Sequence, residues 1–176
     1  MSIDSGELTL EQRLRRLEDR EAIMQLKARY AKFADDKYTA DHRRKPQHEI
    51  DMITRRQVDA VFTEDAVWDG GEQFGVIQGR EALYDHLRGG AWSFAMHYFV
   101  NPVLEVHGDA AHADWMLWQT CTFDRQNQSV FMAASTSDDY VRIAEGWRMV
   151  RMQFTLKFIT RFDRPWSMDR NLPITF

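Results

Sequence analysis

The chain has 176 residues, is 44% hydrophobic and 12% aromatic, and carries a formal net charge of -4. Its length suits one sizeable core rather than two, and basic residues scattered beneath a slight acidic excess offer no field for nucleic acid or an anionic membrane. A lone Cys121, no leader-like start and no apolar run near the roughly 20 residues needed to cross a bilayer predict a soluble, cytoplasmic, single-domain protein over residues 1–176.

In chain order, Thr9-x-x-Gln12 is a capping-box pattern opening a helix with Leu10, Leu14 and Leu17 on its apolar positions. The phase then breaks, and Asp19 reads as the cap of a second helical stretch with Ile23, Leu26, Tyr30 and Phe33 at spacings of three and four. That stretch buries Tyr30 and leaves Asp35 at its C-terminal end. Lys37 to Glu49 is polar and aperiodic, and reads as a loop. Its basic cluster, Arg43-Arg44-Lys45, is a solvated face or, alternatively, a contact for an acidic substrate tail such as a carboxylate or coenzyme A. Ile50 to Phe62 forms another helix, and Ala66-Val67-Trp68 a strand. Gly70-Gly71 and Gly75 mark turns before a short helix over Gly79 to Leu87, closed by Gly89-Gly90. The remainder is a meander of Met96–His107, Ala110–Asp124, Val130–Ile143 and Trp147–Phe162. Helices followed by a long antiparallel run define an α+β fold, a curved mixed or antiparallel sheet closed by N-terminal helices into a cone with an open mouth.

Six Trp, eleven Phe and nine Met supply both a core and the lining of a hollow space. Tyr30, Asp35 and His97 are the side chain types that hold or move protons near neutral pH, and His97 lies within an otherwise strand-like apolar run. His97 fits base and then acid, Asp35 the holder of its ring, and Tyr30 the donor. Trp68, Tyr98, Trp115, Phe131 and Phe154 are assigned to substrate binding. The other histidines fall in loops, helix surfaces or strand ends without the spacing of a metal site, and Cys121 reads as a buried, inert thiol. Neither a metal nor another cofactor is expected.

The ordered set of a helix with Tyr30 and Asp35, the Phe62-Thr63-Glu64-Asp65-Ala66-Val67-Trp68 segment, Gly79-Arg80-Glu81-Ala82-Leu83, Met96-His97 and Glu145-Gly146-Trp147-Arg148-Met149 resembles the SnoaL-like branch of the nuclear transport factor 2-like superfamily. The resemblance spans about residues 17–162 and is greatest to the dehydratase group that includes the bile acid 7α-dehydratases and scytalone dehydratases. It implies catalytic positions at Tyr30, Asp35 and His97, a cofactor-independent lyase acting on a hydrophobic hydroxy-carbonyl compound such as a steroid or bile acid, and a homotrimer with its sheets facing inward. The polar loop is longer here than in the family, and where some relatives place an arginine on the last strand this chain has Met152 or Leu156. Two other readings use the same scaffold. One is a ketosteroid isomerase- or polyketide cyclase-like enzyme with Asp69 shuttling the proton; the other is a non-catalytic ligand-binding module or the small subunit of a ring-hydroxylating oxygenase. The tail from Phe162 through Trp166 to Phe176 is expected to close the cone mouth or a subunit contact.

Overall fold

The computed structural model describes residues 8–90, 92–123 and 127–162, so the tail expected to close the mouth lies outside the described residues beyond Phe162. Helix α1 runs from Leu10–Asp35 without interruption. Its start is the expected capping box, with the Gln12 amide N–H donating to Thr9 Oγ1 at 3.2 Å and the Thr9 N–H to Gln12 Oε1 at 2.9 Å. The expected second start at Asp19 is corrected. Asp19 sits within the helix and turns its carboxylate to Trp147 Nε1 and Arg142. The change of apolar phase marks instead the point where the helix meets the sheet. Leu10, Leu14 and Leu17 are exposed, whereas Ile23, Leu26 and Tyr30 are buried.

After the loop come α2 (Gln47–Val61), β1 (Phe62–Asp69), α3 (Gly71–Phe74), β2 (Val76–Gln78) and α4 (Arg80–Arg88). Pro46 fixes the entry to α2, which therefore begins within the stretch expected to be loop. The meander follows as β3 (Trp92–His107), β4 (Ala110–Phe123), β5 (Gln128–Ile143) and β6 (Gly146–Arg161). All strands join one six-stranded sheet in the order β2-β1-β6-β5-β4-β3, with β1 parallel to β6 and the other pairs antiparallel. This is the curved mixed sheet with N-terminal helices that was expected.

Curvature has local causes. Asn101 and Pro102 oppose Trp115 alone between the pairs Val100↔Met116 and Val103↔Asp114, with Asn101 at φ 52°. Lys157 is the extra residue between Ala133↔Phe158 and Ala134↔Leu156. Each bulge bends its strand and increases local twist. The concave face packs on the helices through Ile23, Leu26, Val58, Phe62, Trp115 and Met149. Toward the wide end this packing stops short, and a cavity opens between the sheet, the end of α1 and α4.

Candidate active site

Strand alternation and the end of α1 create the polar centre of this cavity. His97 and Phe99 share the inward parity of β3, and the last turn of α1 points Asp35 at them. The imidazole Nδ1 lies 2.7 Å from Asp35 Oδ1, and the His97 backbone N–H donates to that same oxygen at 3.1 Å. An ionised carboxylate can only accept, so it holds the ring as the Nδ1–H tautomer. Nε2 is left as the proton acceptor. Asp36 plays no part in the pair, being bound to Lys32 at 2.6 Å.

The cavity measures about 520 Å³, and its walls include Trp68, Phe74, Phe99, Leu117, Met152 and Phe154. Tyr30 also lines it, its ring edge-on to Phe62 and Phe99 at 5.9 Å from each. Burial, and then the charge of Asp138, push the phenol well above its ordinary pKa. Tyr30 therefore stays protonated and can only be a hydrogen-bond donor to a developing negative charge.

The structure brings Tyr30 and His97 to one cavity with Asp35 behind the imidazole. Of the expected substrate contacts, Trp68 and Phe154 line the cavity and stack at 6.2 Å. Three others are corrected. Tyr98 follows an inward residue and so points to the opposite sheet face, where it is exposed. Phe131 precedes the cavity residue Met132 and likewise faces outward, stacked on Trp118 at 4.8 Å. Trp115 has the inward parity but lies deeper, in the closed core, with its indole N–H on Tyr140 Oη at 3.2 Å. Asp69 is held by Arg151 at 2.6 Å and is not among the cavity-lining residues, so the aspartate-shuttle alternative has no support at that position.

Other residues at or beside the site stand outside the catalytic and substrate-binding set expected from the sequence. Lys27, on the buried stripe of α1, is fully out of water and paired with Asp138 at 2.6 Å beneath Phe99 and Thr136. Lys37, Arg44 and His86 line the cavity. Of the basic cluster, Arg44 lines the cavity whereas Arg43 is exposed, and His86 rests on Trp68 at 5.1 Å rather than on a bare helix surface. A lysine on an apolar helix stripe was a usable signal for Lys27. Nothing local marked Lys37, because its burial arises from the fold of the loop against α2 and α4.

No curated protein matches this sequence. Among solved structures, a hexachlorocyclohexane dehydrochlorinase (LinA) of type 2 is similar with a TM-score of 0.71 and 21% identity, covering 85% of this chain and 93% of its own. A candidate scytalone dehydratase from Novosphingobium aromaticivorans gives a TM-score of 0.64 at 16% identity, covering 85% and 93%. A nuclear transport factor 2-like superfamily protein from Salmonella enterica gives 0.61 at 18% identity, covering 79% and 91%. At these identities the likeness is one of fold, and it is the cone described above. No helix among the described residues is long and apolar enough to cross a membrane. The model of the SnoaL-like domain matches residues 49–153, more than half of the chain, and the chain belongs to that family.

Proposed function

We propose that the protein is a cofactor-independent lyase that eliminates water from a hydrophobic hydroxy-carbonyl substrate such as a steroid or bile acid. The observation that carries the reading is the Asp35–His97 contact of 2.7 Å at the wall of an apolar cavity. In the reaction, His97 Nε2 takes the proton from the carbon beside the carbonyl, and Tyr30 donates to the oxygen on which charge develops. The C–O bond to the β-hydroxyl then breaks as the imidazolium returns that proton, so water leaves and an enone remains. Asp35 holds the ring and compensates the imidazolium charge without itself taking the proton. Similarity to a dehydrochlorinase and a candidate scytalone dehydratase supports the elimination class. Cytoplasmic residence and homotrimeric assembly belong to the same reading, supported by the single, buried thiol and by the apolar outer sheet face.

The test is a screen of hydroxysteroids and related hydroxy-carbonyl compounds read by mass. Loss of water in wild type that disappears in His97→Ala is the expected result. Asp35→Asn should lower turnover about 10²- to 10⁴-fold, the range of positioned acid-base catalysis. Tyr30→Phe should lower kcat more than it weakens binding, because its donor is needed when the oxyanion develops. An unchanged mass with a shifted absorbance would select an isomerase instead, and full activity in His97→Ala would remove the mechanism.

A further inference from the structure

Among the described residues, the cavity lining includes Lys37, Arg44, His86 and His97 but no aspartate or glutamate. The two carboxylates that precede Lys37 in sequence are engaged elsewhere, Asp36 with Lys32 at 2.6 Å and Asp35 with His97. Lys37 follows α1 directly and is buried, with 7% of its surface exposed. Its Nζ donates to Gln57 Oε1 from α2 at 2.8 Å and to the Leu87 carbonyl from α4 at 2.9 Å. Both acceptors are neutral, so the amine's hydrogen bonds are met while its charge is not. Arg44 reaches the same end of α4 and donates to the carbonyls of Gly89 at 2.9 Å and Gly90 at 3.3 Å, again neutral groups. These contacts cap α4, but capping alone does not call for a buried lysine beside an apolar cavity, where an unpaired cation is costly.

We infer that Lys37 and Arg44 form an anion-binding pole of the cavity, so that the substrate is a hydrophobic molecule carrying a single anionic group of carboxylate type. The inference shares with the proposed function the premise that this cavity receives the substrate; it does not depend on what reaction follows. The ligand's apolar body would lie against Trp68, Phe74 and Phe154, its anionic end at Lys37. Burial, reinforced by the charge of Arg44, lowers the Lys37 amine to a pKa of about 7. Burial, and then Lys37, likewise lower the His86 imidazole. With Gln57 neutral, Arg44 is the fixed charge facing the amine. A bound anion would favour the ammonium form and raise the Lys37 pKa again. Above pH of about 7, binding must therefore take up a proton, and affinity for the anion falls as pH rises.

The test compares two fluorescent probes with the same aromatic body: anilinonaphthalene sulfonate, an anion, and neutral N-phenylnaphthylamine. Neither has a leaving group, so the result stands apart from any failure of the elimination reading. Wild type should bind the sulfonate about tenfold or more tightly than the neutral probe at pH ~6, the value of one charge-assisted hydrogen bond. That preference should shrink at pH ~8.5, where an amine of pKa about 7 is neutral. Lys37→Gln retains an N–H donor for the α4 carbonyl but no charge, and should abolish both the preference and its pH dependence. Arg44→Gln, a second route should the first variant not fold, should reduce the preference. Equal affinity of wild type for the two probes, or a preference that persists in whichever of these variants folds, would overturn the inference.

Discussion

Lys27 and Asp138 meet at 2.6 Å with both side chains fully excluded from water. Burial disfavours the ammonium, while Asp138 opposes that tendency. The pair is further tied in by the Lys27 bond to Thr136 Oγ1 at 3.0 Å and the Tyr140 hydroxyl's bond to Asp138 Oδ2 at 2.9 Å. Removing one partner leaves the other charge buried. Lys27→Met alone should therefore cost about 3 to 5 kcal/mol, whereas Lys27→Met with Asp138→Leu should recover most of the loss. Urea melts of the singles and the double measure this directly, and a double as unstable as the single would refute it. Asp35 and His97 were legible in sequence because each occupies an interpretable place, a helix end and an apolar strand. Tyr98, Phe131 and Trp115 were misplaced for a different reason. Aromatic character says nothing about which face of a strand a residue takes, or how deep it lies along the cone.

At the level of elements, the existence and order of the long helices and the four meander strands were readable from periodicity and turn residues. The continuity of α1 was not. Its first turns leave Leu10, Leu14 and Leu17 exposed among the described residues, and the apolar phase seen in sequence reports the packing rather than the helix. Asp19 lies at the start of the packed part, with Arg142 at 2.5 Å and Trp147 Nε1 at 3.2 Å. Burial would raise its pKa, but the Arg142 guanidinium and the Trp147 N–H together outweigh this and hold the carboxyl below its ordinary range. The folded value thus lies below the unfolded one. The stabilisation is complete above the unfolded pKa of about 3.9 and is lost as pH falls through the folded value. Asp19→Asn should cost about 1 to 3 kcal/mol at neutral pH and reduce the loss of stability on acidification below pH ~4. Hydrogen exchange should show the first turns of α1 opening more readily. An unaltered acid limb would show that Asp19 does not anchor the helix. The bulges at Asn101-Pro102 and at Lys157 were equally hidden, because an extra residue is visible only once its partner strand is known.

Those bulges also decide what the whole molecule shows to its surroundings. After Lys157 the parity of β6 changes, so that Ile159 lines the cavity while Phe158 joins the outer face. There Phe158 lies 6.3 Å from Trp118 and 6.5 Å from Phe131. On the neighbouring strands Met96, Tyr98, Val100 and Met116 are each more than a third exposed. The apolar surplus of the meander is therefore divided between the cavity wall and a broad convex face that no described element covers. Contiguous apolar surface of this kind marks an interface, and a closed symmetric assembly is the usual way to bury it. In the proposed homotrimer these faces meet one another, and each cavity opens away from the contact. A charge at the centre of such a face must lose its water without gaining a partner, so Phe158→Glu or Trp118→Glu should dissociate the assembly. The Asp35–His97 pair, on the other sheet face, should keep its geometry. Light scattering at micromolar concentration should give three times the 20.8 kDa chain mass for wild type and about one for the charged variants. A wild-type monomer would refute the assembly, and a trimer that survives both substitutions would move its interface to another surface.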